Sequence, residues 1–306
     1  MSDGSNTKNR VRRHFWLRLS TYILGIFLFY APFALFTRTI KFFTNNSTVS
    51  DVHNLCFRMP INWIFDPSQW SRFVSSPFYM GFFVIIGIAF LFGPLFCGWL
   101  CSAGAITEYL SRLVPDRFKI DLSGKVNPMP IRYGFLAGYL LTPFLGGSIG
   151  CAFCNFGIFQ RFISALTGDW QQIAYWSTTM IITTMIWFFI FGLFMKGGRG
   201  WCSFGCPVGT LQSLFYAIGS KFGFTHKLKY DGSKCSGCGA CIKACSMWSI
   251  KKGDQGKGIR LNPHTCNTCL DCTAVCPRGA LSYGTGAAET GKLLQLDNIS
   301  VSDTGK

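Results

Sequence analysis

Eight cysteines fall into two runs of one spacing, and that spacing constrains the C-terminal part of the chain more than any other feature. Cys235, Cys238, Cys241 and Cys245 lie in CSGCGACIKAC, and Cys266, Cys269, Cys272 and Cys276 lie in CNTCLDCTAVCP. Both runs read C-x2-C-x2-C-x3-C, the spacing by which bacterial two-cluster ferredoxins hold [4Fe–4S] cubanes. Three close thiolates take three corners of one cubane, and a short helix carries the fourth to the other. The expected ligand sets are therefore crossed. Cys235, Cys238, Cys241 and Cys276 hold one cluster; Cys266, Cys269, Cys272 and Cys245 hold the second. Gly237 and Gly239 let the backbone fold tightly around the sulfurs. Structural zinc, the plainer reading, rarely repeats this triple spacing. Ser246 stands where many such runs place proline, which removes a turn residue and no ligand.

Upstream the character changes. The chain of 306 residues is 49% hydrophobic and only 14% charged, with 31 phenylalanines, a composition that suits a small membrane protein. Its 15 cysteines would suggest disulfides in a secreted chain, but short regular spacings favour metal ligation. The net charge of +16 is the excess expected of cytoplasmic loops; no motif points to a nucleic-acid partner. Four apolar runs, about 17–36, 78–96, 133–149 and 175–195, are each long enough for the roughly 20 residues a spanning helix needs. The third carries Gly134, Gly138, Pro143, Gly146 and Gly147, which membrane helices tolerate when neighbours satisfy the backbone. The first run is too long for a signal peptide and reads as an uncleaved anchor.

The expected fold is an α-helical membrane protein of four transmembrane helices in two hairpins, followed by a two-[4Fe–4S] ferredoxin-like α+β module. Its parts are a basic arm over 1–16, a membrane domain over 17–226, the cluster module over 227–284 and a disordered tail over 285–306. Lys8, Arg10, Arg12 and Arg13 in the arm, with Arg112, Arg117, Lys119, Lys196 and Arg199 in later loops, place both termini and the clusters on the cytoplasmic side of a bacterial inner membrane. Trp63, Trp70, Trp170 and Trp176 then fall near the outer interface.

FCGWLCSAG and WCSFGCPVG form a second pattern. Cys97 matches Cys202, Cys101 matches Cys206 and Gly104 matches Gly209, an internal duplication of C-x3-C-x2-G. Residues four apart share one face of a helix, so the two pairs are expected to converge. A four-thiolate metal site, a reversible dithiol and a docking surface for the cluster module all remain open, beside buried cysteine as simple packing. Cys151 and Cys154, in CAFCNFG, are expected on the opposite face as a disulfide, a redox dithiol or a metal contact. Lone Cys56 reads as packing. Glu108 reads first as a solvated interfacial carboxylate and second as a proton acceptor for quinol. The apolar runs hold no histidine, since His14 precedes the first and His53, His226 and His264 lie outside them; no haem is expected.

These features together resemble the NapH/MauN group of ferredoxin-type membrane proteins, over about Leu17–Tyr283. GWCSFGCPVGTL and the two cluster runs carry the resemblance, with Cys97, Cys101, Cys202, Cys206 and the eight ferredoxin cysteines as matching residues. Ser102 replaces the proline expected after Cys101. The resemblance implies a quinol dehydrogenase membrane component that passes electrons from the quinol pool, through an iron–sulfur or cytochrome partner, toward a periplasmic reductase. Related membrane ferredoxins imply an alternative, a copper-handling or reductase-maturation role in which the clusters supply electrons.

Overall fold

A computed structural model describes residues 3–30, 32–44, 68, 70, 77–122, 125–141, 144, 153–171, 178–253 and 258–290. His53, Cys56, Trp63, Cys151, Trp176 and the tail beyond residue 290 lie outside the described residues.

The expected transmembrane helices are not found: among the described residues no helix is long and apolar enough to cross a membrane. The physical reason lies in breaks within the apolar runs. Helix α1 (Asp3–Phe29) is long, but Lys8, Arg10, Arg12, Arg13 and Arg18 make its first half polar. Its apolar half stops at Phe29, and Ala34 takes a left-handed φ of 40° before α2 (Leu35–Thr44) begins. Helix α3 (Pro77–Phe92) has 16 residues, about 24 Å of helix against a hydrocarbon layer of about 30 Å. Gly93, at φ 76°, ends it, and Pro94 follows, the pairing that commonly stops a helix. A π-helical turn, Phe96–Leu100, leads into α4 (Ser102–Ser111). Helix α5 (Pro128–Leu141) is also short. After α6 (Asn155–Leu166), α7 (Thr178–Thr184) continues as a π-helical stretch, Met185–Leu193. Two further helices, α8 (Gly200–Phe204) and α9 (Pro207–Gly219), carry the second thiol motif. Phe29, Phe82, Phe96, Phe156, Phe159, Trp187 and Trp201 form the common core of these helices. Phe83, Val84, Ile88, Ile181, Ile182 and Ile190 point outward.

The cysteine-rich end is α+β. Strand β1 (Lys227–Asp231) pairs antiparallel with β4 (Leu281–Gly284), with Leu228 opposite Tyr283, and parallel with β5 (Glu289–Thr290). Strands β2 (Ile250–Lys252) and β3 (Ile259–Leu261) form a second antiparallel pair. Between them run α10 (Ala240–Ala244) and α11 (Asp271–Val275), one in each cysteine run. Leu228, Tyr230, Ile250, Ile259 and Leu281 pack with the cysteines as its core.

The two parts are joined closely. The basic segment is helical, and it packs on the cysteine-rich end: Arg10 donates to the carbonyls of Ala274 and Cys276. Tyr283 donates to Phe92 O at 2.5 Å, and His226 N to Leu91 O at 2.7 Å.

Candidate metal centres

The two expected crossed sets of cysteines are each gathered at one cavity. Cys235, Cys238, Cys241 and Cys276 line a cavity of about 290 Å3, open on one side and rimmed by Lys234, Lys243 and Arg278. Cys245, Cys266, Cys269 and Cys272 line a second, tighter cavity beneath the thiol motif. The backbone shapes both runs alike. Gly237 and Gly239 have φ of 70° and 72°, and at the matching places Thr268 and Leu270 have 53° and 62°. The same correspondence holds three residues after each fourth cysteine, at Trp248 and Gly279. Left-handed turns bring backbone N–H groups round toward sulfur: Ser249 N donates to Cys245 Sγ at 3.3 Å, Thr268 N to Cys266 Sγ at 3.4 Å and Ala280 N to Cys276 Sγ at 3.2 Å.

This donor set fits an iron–sulfur group. All eight cysteines are free, and the N–H donors face atoms that carry negative charge once they ligate metal. Asn267 Nδ2, in a residue lining the second cavity, is buried without a hydrogen-bond partner, and the Ser249 and Thr268 hydroxyls face the Cys245 and Cys266 sulfurs. Orphaned buried donors carry a cost, and sulfide or thiolate sulfur would accept from them. Among the described residues no group of three His, Cys, Asp or Glu is arranged for a single metal ion.

The duplicated motif is built differently from a single helix face. Cys97 lies in the π-helical turn, and Cys101 is the extended residue capping α4. Cys202 lies in α8, and Cys206 caps α9, accepting from Gly209 N at 3.5 Å. Each pair therefore straddles a helix break, and the two pairs converge: all four thiols are free and lie within mutual electrostatic reach. Burial pushes Cys101 up to about 12 and raises Cys97, Cys202 and Cys206 as well. As bare thiols they are neutral at physiological pH; a bound metal is what turns such buried sulfurs into thiolates. Cys154, capping α6, packs against the same core.

The motif also touches the second cavity directly. A Cβ at Gly98 would overlap Asn267 O and stand 3.1 Å from Cys269 Cα, so only glycine fits there. Trp99 Nε1 donates to Thr268 O at 3.1 Å. FCGWLC therefore abuts the second cysteine run through backbone contact at Gly98 and Trp99.

Sequence reasoning missed the charged cluster behind this contact. Glu108 is not a solvated carboxylate: it is 2% exposed. Arg18 donates to both its oxygens at 3.0 Å, Arg199 to Oε2 at 2.5 Å and Arg112 to Oε1 at 2.8 Å. Burial alone would raise this carboxyl, but Arg18, Arg199 and Arg112 outweigh it and hold it well below the usual carboxylate range. Held ionised among three guanidinium groups, Glu108 is a buried salt-bridge carboxylate and not the solvated one expected. Arg18 reaches on to Asp271 Oδ2 at 2.6 Å, and His14 Nε2 stands 3.0 Å from Asp271 Oδ1 and from Cys269 O. Arg199 donates to Cys97 O at 2.8 Å and to the Tyr22 hydroxyl at 2.7 Å. One network therefore ties α1, the first thiol motif and the second cavity. A signal existed in the sequence: an arginine, Arg18, set in an apolar run demands a buried anion.

Comparison with known proteins agrees with the chemistry. A family model described as a 4Fe-4S binding domain matches residues 77–121 and 178–225, which include all four duplicated-motif cysteines. A second, described as a 4Fe-4S dicluster domain, matches residues 227–277. The methylamine utilization ferredoxin-type protein MauN of Methylobacillus flagellatus is 30% identical over 54% of this chain and 53% of its own length. The ferredoxin-type protein NapH of Escherichia coli is 27% identical over 62% of each. An uncharacterized protein of Methanocaldococcus jannaschii is 26% identical over 68% of this chain and 72% of its own. No solved structure matches. The chain is a homologue of the NapH and MauN ferredoxin-type proteins, spans less than two thirds of their length, and matches 4Fe-4S binding-domain models.

Proposed function

We propose that this protein takes electrons from the quinol pool and delivers them to an iron–sulfur or cytochrome partner serving a periplasmic reductase or dehydrogenase. The observation that carries the reading is the pair of crossed cysteine tetrads, each gathered at its own cavity. In this reading Cys235, Cys238, Cys241 and Cys276 hold one [4Fe–4S] cluster, and Cys266, Cys269, Cys272 and Cys245 hold a second. Such clusters supply one-electron storage when bound.

What the chain adds is a place for the donor. A groove of about 310 Å3, walled by His14, Phe15, Arg18, Tyr109 and Asp271, opens beside the second tetrad. Oxidising a quinol removes protons together with electrons. His14, paired with Asp271, is a histidine with an acceptor role within reach of a hydroxyl in that groove,. The outward apolar side chains of α3 and α7 support lipid contact, which a quinol donor requires. We place the protein at the cytoplasmic membrane, with the basic, cysteine-rich end toward the cytoplasm.

Anaerobically prepared protein mixed with a short-chain quinol should be reduced, with bleaching of its visible iron–sulfur absorbance. His14→Gln should slow that reduction by about 100-fold or more, the lower end for losing a positioned acid–base group, and leave reduction by dithionite unchanged. Wild-type protein that dithionite reduces and quinol does not would refute the quinol reading.

A further inference from the structure

We propose that electrons leave this protein through the first tetrad, Cys235, Cys238, Cys241 and Cys276, and that the cationic rim of its cavity docks an acidic redox protein. The inference deepens the electron-delivery reading by naming the exit and the charge of the acceptor. It rests on that tetrad holding an iron–sulfur cluster, and not on quinol being the donor.

The two tetrads differ in access. Cys238 is exposed, and it lines the cavity that opens on one side. In the second tetrad Cys269 and Cys272 are buried. There the backbone of Asn267 and Cys269 lies against Gly98, Trp99 donates to Thr268 O, and Arg18 pairs with Asp271. Helix α1 and FCGWLC thus occupy the ground that a partner would need. Electron transfer weakens steeply with distance, so a partner exchanges fastest with the cluster whose own ligand reaches the surface. Helix α10 links the two sets, with Cys241 of the first inside it and Cys245 of the second as its C-cap.

The rim carries one sign of charge. Lys234, Lys243, Lys252 and Arg278 line the first cavity, all four are exposed, and no carboxylate is among the lining residues. Lys234 pairs with Asp231 at 3.0 Å and still leaves 60% of its side chain exposed. Helix α1 adds to the same field. Arg10 donates to the carbonyl of Cys276, a ligand of this tetrad, and Lys8, Arg12 and Arg13 are exposed on the same helix. A field of one sign attracts the opposite charge, which speeds encounter with an acidic partner and turns it toward the cavity. The step is a one-electron transfer. The reduced cluster loses one electron and the acceptor's ferric haem or oxidised iron–sulfur group gains it, with no bond made or broken.

The test uses the full chain, purified anaerobically, reduced with dithionite and freed of excess reagent. Two one-electron acceptors are mixed with it in stopped flow, a strongly acidic cytochrome b5 and a strongly basic cytochrome c. Reduction of the acidic cytochrome should slow by about tenfold or more between about 0.01 M and about 0.15 M salt, as the Debye length falls from about 30 Å to about 8 Å. Reduction of the basic one should not slow. The net charge of +16 acts in the same direction, so variants must separate the rim from the whole surface. Lys234→Glu/Arg278→Glu should keep its iron and lose about tenfold or more of the low-salt rate with the acidic cytochrome. Lys125→Glu/Lys221→Glu makes the same change in net charge outside the cavity lining and should stay within about twofold of wild type. Lys252→Glu, on strand β2 outside both cysteine runs, should also slow the reaction, and it reads the same rim if the first double variant loses iron. Equal slowing in both double variants would overturn the rim as the docking site, as would a rate with the acidic cytochrome that salt leaves unchanged. Wild type that quinol fails to reduce, but that passes dithionite electrons in this charge-dependent way, would sink the quinol donor and sustain this exit. Wild type free of iron would overturn both.

Discussion

Glu108→Gln should destabilise the fold strongly without touching a cysteine. Gln keeps the shape of the side chain and removes its charge. Two guanidinium groups, Arg18 and Arg199, each 1% exposed, then lose their shared anion. Removing one partner of a buried ion pair costs about 3–5 kcal/mol. Arg18 keeps Asp271, and both arginines keep the Tyr22 hydroxyl, which argues for the lower end, about 3 kcal/mol. At about 2–4 °C per kcal/mol for a chain of this order of size, the melting temperature should fall by about 6–12 °C. Anaerobic thermal loss of visible absorbance and of near-UV circular dichroism reads it directly. The control is Arg112→Ala, whose side chain is 45% exposed and whose pair should contribute less than about 1 kcal/mol. The pH dependence carries the same sign. A carboxyl held below its ordinary value contributes stability that is fully present above the ordinary glutamate range. It is lost as pH falls from there toward the lowered value. Wild type should show that acid limb, and Glu108→Gln should lack it. A Glu108→Gln protein melting within about 2 °C of wild type at neutral pH would refute the reasoning.

Gly98→Ala should separate FCGWLC from the second cavity, because the new Cβ meets Asn267 O and Cys269; faster loss of iron to a chelator would report it. Leu270→Gly should relieve a left-handed residue by about 1 kcal/mol and slow the same loss, and a faster loss would show that the packing of the leucine side chain matters more than its φ. The crossed ligand sets predict that Cys276→Ser leaves the same residual cluster spectrum as Cys238→Ser, although Cys276 belongs to the second run. A match to Cys269→Ser instead would contradict the crossing.

Short-range signals were the legible ones. The crossed grouping of Cys235, Cys238, Cys241 and Cys276 follows from two identical spacings, since a C-x2-C-x2-C turn and a short helix leave little freedom in where sulfur points. Apolar runs misled, because hydropathy counts residues and does not register backbone breaks. Gly93–Pro94 and the left-handed Ala34 cut runs that composition alone would extend into spans. The helix-face expectation for Cys97 and Cys101 failed for a related reason: the break that caps α4 falls between them.

By itself, then, the sequence determined the cluster chemistry, the number of thiol motifs and their duplication, all of which are written in spacings of a few residues. Tertiary structure alone decided what those motifs meet. That Arg18, Arg199 and Glu108 share one buried network, that α1 lies along the cysteine-rich end, and that FCGWLC abuts the second cysteine run are contacts between residues 80 or more positions apart in several cases. No local pattern encodes them. They exist because burial forces each charged group to find its partner wherever the fold brings one within reach.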